Sequence, residues 1–71
     1  MVEDEIYKLL GKRIKYLRSC KNLTQEQLAD RSGLSLDYLG KIEVNINQPG
    51  LKSLIKISNA LNIQIKELFE F

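Results

Sequence analysis

Residues 23–45 read LTQEQLADRSGLSLDYLGKIEVN and contain two short helical patterns with a glycine between them. Thr24 is a good N-cap residue, and Gln27 three positions later can complete a capping box, so we expect the first helix to begin directly after Thr24. Gly33 suits the left-handed conformation that follows a helix end, and Ser35 can cap a second helix. These signals predict two short helices joined by a tight turn.

The second of these helices has an apolar side and a mixed side. Leu39 and Ile42 recur at helical spacing and should face the core. Four residues should point outward: Leu36, Asp37, Gly40 and Lys41. Asn45 tolerates a positive φ and can end the helix region. The pattern predicts a helix-turn-helix over about residues 24–45, whose second helix can enter the major groove of DNA, although similar helical hairpins occur in bundles that bind nothing.

The spacing of this motif resembles the Cro/CI-type (Xre-like, lambda-repressor-like) family, whose pattern is Q-x-x-L-A-x-x-x-G-x-S-x-x-x-I-x-x-I-E followed by a proline. The matching residues are Gln25, Leu28, Ala29, Gly33, Ser35, Leu39, Ile42, Glu43 and Pro49. The similarity continues through LKSLIKISNALNIQIKELF and covers about residues 9–70. The resemblance implies an all-α fold, a compact five-helix lambda-repressor-like bundle in which helices 2 and 3 form the motif. It also implies a sequence-specific transcriptional regulator of phage or bacterial type that acts as a repressor.

Length and composition limit the possible classes of protein. Seventy-one residues allow one domain, residues 1–71, with a modest core. The chain is 44% hydrophobic and 28% charged, as is ordinary for soluble proteins. It has neither an apolar run long enough to span a membrane nor a leader before the first helix, so we expect a cytoplasmic protein without membrane contact. A single cysteine, Cys20, which we expect to be partly buried, and no histidine argue against a zinc site; we expect no metal and no cofactor.

The first helix is expected over residues 4–21, with Asn22 as its left-handed end. Its apolar stripe should comprise Ile6, Leu10, Ile14 and Leu17. Gly11 is a mild defect in this helix, of about 1 kcal/mol against alanine. Six bases and no acid lie between residues 8 and 21: Lys8, Lys12, Arg13, Lys15, Arg18 and Lys21. They either reach phosphate in part or form a solvated face that suits the helix dipole.

The remaining chain predicts two further helices. Gly50 can cap a fourth helix, which Asn62 ends. That helix has an amphipathic pattern, whose core-facing side should comprise Leu51, Leu54, Ile57, Ser58 and Leu61. Ile63 should return to the core, and residues 65–71 should form a short fifth helix.

The outward residues of the second motif helix are the candidates for reading bases. Lys41 can donate to O6 and N7 of guanine or to a phosphate. Asp37 can accept from N4 of cytosine, but it repels phosphate and is also the kind of residue that the helix dipole favours at a helix start. Leu36 can pack on thymine methyl groups. Gly40 permits a close approach of the backbone to DNA or to another protein.

Other polar residues around the motif are candidates for phosphate contacts. Gln25 begins the first motif helix, where free N–H groups and the positive dipole end suit an anion, although it can also be a merely tolerated polar residue. Tyr38 can reach the sugar-phosphate backbone through its hydroxyl or lie at the edge of the core. Ser35 is a cap first and a phosphate contact second. Three residues of the following loop can bind phosphates or be merely solvated: Asn45, Asn47 and Gln48.

The family resemblance also implies an internal ion pair between Arg18 and Glu43, which ties the first helix to the end of the third. Arg18 is then structural and does not contact DNA. At Val44 and Asn45 the chain departs from the Arg-Gly that is frequent in the family, and it loses one positive charge near the DNA backbone. The resemblance therefore predicts weaker DNA binding by a monomer than the family pattern would give.

A module of this size reads only a few base pairs, and similar proteins of the family usually bind palindromic operators as two-fold dimers. The C-terminal segment carries more apolar surface than one short helix needs. Phe69 and Phe71 are therefore candidates for a dimer contact, with an exposed, frayed end as the alternative. The expected partners are a double-stranded DNA operator and a second copy of the chain.

Two rival functions remain open. The chain can be a protein-interaction module of the antitoxin or anti-repressor type, which binds a regulatory protein partner through Leu36 and Gly40. It can also be the DNA-binding part of a longer regulator. An enzyme is disfavoured because the sequence has no histidine, no paired-carboxylate cleft and no nucleotide-binding loop.

Overall fold

The computed structural model describes residues 2–71 and contains four α-helices and one 3-10 helix. The helices are α1 (Glu3–Cys20), α2 (Gln25–Ser32), α3 (Leu36–Glu43) and α4 (Leu51–Leu61), and the 3-10 helix spans Ile65–Phe69. Residues 2–71 form no strand, and none of their helices is both long and apolar enough to cross a membrane. The all-α fold is thus confirmed, whereas the prediction of a fifth α-helix is wrong.

Local side-chain contacts define the ends of α2 and α3. The Thr24 hydroxyl accepts a hydrogen bond from the Gln27 N–H at 3.1 Å, and Gln27 Oε1 accepts one from the Thr24 N–H at 2.9 Å, which completes the predicted capping box. Gly33 ends α2 in the left-handed region with a φ of 72°. The Ser35 hydroxyl accepts a hydrogen bond from the Tyr38 N–H at 3.1 Å and caps α3. Both motif helices therefore begin where their capping residues predict.

Three asparagines redirect the chain after helices. Asn22, Asn45 and Asn62 have φ angles of 57°, 62° and 57°. Asparagine tolerates this left-handed region better than most residues because its short polar side chain can hydrogen-bond locally. All three positions agree with the prediction from the sequence.

Apolar side chains from every helix form one core. The buried members are Leu10, Ile14, Leu23, Leu28, Ala29, Leu39, Ile42, Leu54, Ile57, Leu61 and Leu68. Of the residues that periodicity assigned to the core, Ile6 and Leu51 are exposed, at 36% and 65%. Both line an open groove of about 530 Å³ between the first turns of α1 and α4. Leu17 is partly buried and packs against the core. Cys20, the last residue of α1, is also exposed rather than partly buried.

Gly11 allows α1 to lie directly against the C-terminal end of α3. A Cβ atom at this buried position would lie 2.5 Å from the Ile42 carbonyl oxygen and 3.1 Å from that of Glu43. The description of Gly11 as a mild helix defect is therefore incomplete. Helix propensity favours alanine by about 1 kcal/mol, but the two backbones are too close to admit its methyl group.

The segment after α4 forms a tight 3-10 turn in place of the predicted helix over residues 65–71. Leu68 is buried in the core, and Arg13 Nε of α1 donates a hydrogen bond to the Glu67 carbonyl oxygen at 2.9 Å. Glu67 Oε2 in turn accepts a hydrogen bond from the Gln64 N–H at 2.8 Å. These contacts hold a short element whose i→i+3 hydrogen bonds are common at the ends of helical folds.

Candidate DNA-binding surface

Two sides of α3 have different environments. Leu39 and Ile42 are buried on the side that meets the core. The opposite side, which we call the outer face of α3, comprises the exposed Leu36 and Asp37 and the half-buried Gly40 and Lys41. The cap geometry and the helical period thus turn the four candidate base-reading residues away from the core.

An ion pair joins two residues of the outer face. Lys41 Nζ lies 3.0 Å from Asp37 Oδ2, one helical turn away, and both side chains remain in contact with solvent. An exposed pair at this spacing contributes only about 0.2–0.5 kcal/mol to stability. Its main consequence is electrostatic, because the two charges cancel and the outer face has no net charge. The four-residue spacing in the sequence already permits this pair, which the interpretation of each residue alone did not anticipate.

Gln25 connects the start of α2 to α3. Its Nε2 donates a hydrogen bond to Glu43 Oε1 at 2.9 Å. Its Oε1 lies 3.7 Å from the position that a Cβ atom would occupy at Gly40. The side chain is therefore held beside the outer face, with one amide hydrogen of Nε2 bonded to Glu43 and the second not required by that bond.

Arg18 and Glu43 form an internal ion pair with two hydrogen bonds. Arg18 Nε lies 2.8 Å from Glu43 Oε2, and Arg18 Nη2 lies 3.1 Å from Glu43 Oε1. Arg18 Nη1 also donates to the Leu23 carbonyl oxygen at 2.7 Å. The side chains are 12% and 0% exposed, respectively, so this guanidinium is used inside the protein. The pair ties α1 to the end of α3.

Tyr38 lies between the core and the surface. Its hydroxyl is 3.2 Å from the Ser53 hydroxyl of α4, and the side chain is half-buried against the core. The hydroxyl of Ser35, in turn, is used by the α3 cap. Both candidate phosphate contacts therefore have a structural role in the protein.

The loop after α3 turns tightly on the end of that helix. The N–H groups of Ile46 and Asn47 both donate to the Lys41 carbonyl oxygen, at 2.8 and 3.2 Å. Gln48 Nε2 donates to Asp4 Oδ1 of α1 at 3.4 Å. Asn45 Oδ1 is buried and accepts no hydrogen bond from residues 2–71. The structure thus gives Gln48 a partner within the protein and leaves an acceptor of Asn45 without one.

The two C-terminal phenylalanines lie side by side at the surface. Their ring centroids are 6.4 Å apart with the rings tilted by 49°, and Phe69 and Phe71 are 42% and 49% exposed. Phe69 also lines the apolar groove that contains Ile6 and Leu51. Together these side chains make an apolar patch outside the helix-turn-helix.

A second surface recess, of about 310 Å³, lies beside the end of α3. Its lining residues are Lys8, Lys12, Glu43, Val44 and Asn45. The sequence places the lysines and the loop residues more than thirty positions apart, so their proximity follows only from the contact of α1 with α3. Within residues 2–71, no three His, Cys, Asp or Glu side chains are grouped as a metal site would require.

Comparison with families of known proteins gives one match over most of the chain. A helix-turn-helix family model matches residues 14–68, which include α2, α3, α4 and the C-terminal part of α1. The match spans the core and the outer face of α3 together.

Individual proteins similar to this chain are regulators of phage and bacterial origin. The immunity repressor protein of Bacillus phage phi105 is 41% identical over 59 residues, which are 83% of this chain and 41% of the repressor. The control protein C.SmaI of Serratia marcescens is 36% identical over 64 residues, which are 90% of this chain and 76% of that protein. The chain thus spans less than half of the first relative and about three quarters of the second.

The fold also matches solved structures. The restriction-modification controller protein C.AhdI of Aeromonas hydrophila superimposes with a TM-score of 0.87 at 38% sequence identity, over 89% of this chain and 96% of that protein. The controller protein C.Esp1396I superimposes with a TM-score of 0.85 at 34% identity, over 92% of this chain and 84% of that protein. The likeness therefore extends over the whole bundle, beyond the motif.

Proposed function

We propose, from the premise that this chain belongs to the Cro/CI-type (Xre-like) helix-turn-helix family of DNA-binding transcription regulators, that it represses transcription as a homodimer on a palindromic operator. The observation that carries the proposal is the outer face of α3, whose four residues are turned away from the core. The opposite side of the same helix is anchored in the core by Leu39 and Ile42. A rigid helix presented in this way can enter the major groove. Repression is favoured by the similarity to a phage immunity repressor. The activity is binding rather than catalysis, and the site of action is the cytoplasm.

Base reading is assigned to Leu36, Asp37, Gly40 and Lys41. Lys41 donates to guanine, Asp37 accepts from N4 of cytosine, and Leu36 packs on a thymine methyl group. Because Asp37 and Lys41 are paired in the free protein, their pair must open or be shared with bases on binding. A net-neutral reading face is attracted weakly to arbitrary DNA, so correct base partners contribute a larger share of the affinity.

Phosphate contacts position the reading helix. The N-terminal N–H groups of α2 and the second amide hydrogen of Gln25 are donors beside the outer face. Ser35, Tyr38 and the loop residues Asn45, Asn47 and Gln48 extend this set. Contacts of this kind fix orientation and register on the duplex and carry no sequence information.

The second copy is proposed to cover the apolar patch formed by Ile6, Leu51, Phe69 and Phe71. The first three line one groove, and Phe71 lies beside Phe69. All four side chains are large and apolar, and each is at least one-third exposed. A surface of this type is typical of a protein contact, and a two-fold interface presents the same patch on both copies. Two α3 helices on one face of a dimer would then read two half-sites related by the same symmetry.

The experiment that tests the proposal is selection of bound sequences from a random duplex pool, followed by titration of the selected duplex at several salt concentrations. We expect an inverted repeat with half-sites about one helical turn apart, roughly 34–36 Å, and a steep decrease of affinity with salt. Analytical ultracentrifugation of the free protein should show dimers that Phe69→Ser with Phe71→Ser converts to monomers.

The exposed Leu36 favours one other candidate function, in which the neutral outer face of α3 binds a protein instead of DNA. Selection would then return no enriched motif, and binding to DNA would be micromolar or weaker with little dependence on salt. That outcome would contradict the proposal of an operator-binding repressor.

A further inference from the structure

We infer that Lys8 and Lys12 of α1 form a phosphate-binding site beside the C-terminal end of α3, outside the helix-turn-helix itself. This inference rests on the proposed function and adds a second element to the DNA-binding surface. It concerns the recess lined by Lys8, Lys12, Glu43, Val44 and Asn45.

The position of the two lysines follows from the close contact at Gly11. A Cβ atom at Gly11 would lie 2.5 Å from the Ile42 carbonyl oxygen, so the α1 backbone meets α3 within one residue of its end. Lys8 and Lys12 lie three residues before and one residue after Gly11, on the solvent edge of that contact. Both are exposed, and both line the recess at the start of the loop that follows α3.

The charge of the recess is positive. Glu43 is its one acidic lining residue, and the Glu43 carboxylate is fully buried and bonded to Arg18 and Gln25. Among residues 2–71, neither lysine lies within 4.0 Å of a carboxylate oxygen. Two ammonium groups are thus free to meet an external anion.

The loop after α3 has no basic residue of its own, and Lys41 in the last turn of α3 is paired with Asp37. Residues 42–51 read IEVNINQPGL and contain no lysine or arginine. A duplex that accepts the outer face of α3 places backbone phosphates on both sides of the groove around that helix. Lys8 and Lys12 supply the positive charge that residues 42–51 lack.

Asn45 gives the site a polar wall. Asn45 lines the same recess as the two lysines, and its buried Oδ1 accepts no hydrogen bond from residues 2–71. An ammonium group has three N–H donors, so one can bond to this oxygen while the others meet a phosphate. The alternative is a purely structural role, in which the positive charges of the lysines stabilise the negative end of the α3 dipole without binding DNA.

The test compares Lys8→Gln and Lys12→Gln with the control Lys66→Gln, all as full-length chains on the duplex selected by the wild-type protein. Lys66 belongs to the 3-10 helix, which Arg13 holds. Arg13 is two residues from Gly11, so its side chain points roughly 160° away from the α3 contact. The 3-10 helix that it bonds to, and Lys66 with it, is therefore on the other side of α1 from the recess. Lys12→Arg retains the charge and serves as the conservative variant.

Each of the first two variants removes one phosphate contact per copy of the dimer, so we expect the slope of log affinity against log salt to decrease by about 1.8, for the selected duplex and for random duplex alike. Between 50 and 200 mM salt, this is a difference of about twelvefold in the affinity lost. Lys66→Gln and Lys12→Arg should retain the wild-type slope. A loss confined to the selected sequence would contradict the phosphate role, because phosphate contacts do not depend on sequence.

Failure of this inference differs from failure of the proposed function. A steep wild-type slope that neither lysine variant changes would overturn the inference alone, and a lowered melting temperature with that unchanged slope would assign the lysines to the helix dipole. A wild-type protein that selects no motif and binds without salt dependence would overturn the proposed function and this inference with it.

Discussion

Gly11 and Gly40 both lie inside an α-helix, and their surroundings are opposite. Gly11 lies where α1 meets α3, and a Cβ atom there would be 2.5 Å from the Ile42 carbonyl oxygen. Gly40 lies on the outer face of α3, where a Cβ atom would be 3.7 Å from Gln25 Oε1, an ordinary van der Waals distance. Glycine costs about 1 kcal/mol against alanine inside a helix. Packing within the protein accounts for that cost at Gly11 and does not account for it at Gly40.

The same contrast separates the two sides of α3. On the inner side, the carboxylate of Glu43 is bonded to Arg18 and Gln25, and each charge has a partner away from water. On the outer face, Leu36 is 47% exposed and the pair of Asp37 with Lys41 is in solvent. The residues of the inner side contribute to the stability of the fold. Those of the outer face contribute little to it, and we expect them to serve binding of a partner.

The largest expected effect is on the inner side, in Arg18→Ala. This change leaves the fully buried Glu43 carboxylate with Gln25 as its remaining side-chain partner, and breaking a buried pair typically costs about 3–5 kcal/mol. Urea denaturation should show a large decrease in the free energy of unfolding. The control is Arg31→Ala, an exposed position of α2 that should change stability by no more than about 0.5 kcal/mol. Equal stability of the two variants would remove the contrast between the sides of α3.

Gly11→Ala should come next, with a decrease of about 1–3 kcal/mol in the free energy of unfolding. The new methyl group meets backbone rather than a flexible side chain, so the whole contact of α1 with α3 must shift. The same denaturation experiment measures this change. An alanine variant as stable as the wild type would mean that the two helices separate at little cost.

Lys41→Ala tests the outer face. We expect specific binding to weaken by about 1–3 kcal/mol and the preference at one base position to relax. Stability should change by only a few tenths of a kcal/mol, because the pair with Asp37 is exposed. Sequence selection with the variant gives the measurement, and an unaltered preference would remove Lys41 from the reading residues.

Gly40→Ala is the counterpart of Gly11→Ala on the outer face, and its largest expected effect is smaller than those of the other three variants. Helix propensity should raise the free energy of unfolding by about 1 kcal/mol, since the new methyl group has room beside Gln25. Affinity for the selected duplex should decrease if DNA approaches the backbone at this point. A variant that is more stable and binds DNA as tightly as the wild type would show that Gly40 has no role in close approach.

Many features of this fold were predictable because they depend on contacts between residues close in sequence. The capping box of Thr24 and Gln27, the left-handed Gly33 and the three left-handed asparagines each involve a few neighbouring positions. The division of α3 into two sides depends only on the helical period. The family resemblance also implied a pair of Arg18 with Glu43, and Arg18 Nε lies 2.8 Å from Glu43 Oε2 in the structure.

Other features depend on the distance between elements, which no local pattern contains. Periodicity placed Ile6 and Leu51 on apolar stripes, but no segment among residues 2–71 fills the groove that they line. The 3-10 helix accepts a hydrogen bond from Arg13 of α1, and the hydrogen bond of Gln25 to Glu43 joins two helices. These contacts and the exposure of Ile6 and Leu51 depend on how the helices pack together.

Interactions between residues close in sequence thus determined where α2 and α3 begin and which residues of α3 face outward, because caps, turns and the helical period act over a few residues. The approach of α1 to α3 at Gly11, and with it the grouping of Lys8 and Lys12 beside Asn45, was decided by tertiary packing. The physical reason is that residues throughout the chain contribute to one buried core, and the burial of that core brings α1 against α3. The two backbones are then so close that a Cβ atom at Gly11 would lie 2.5 Å from the Ile42 carbonyl oxygen.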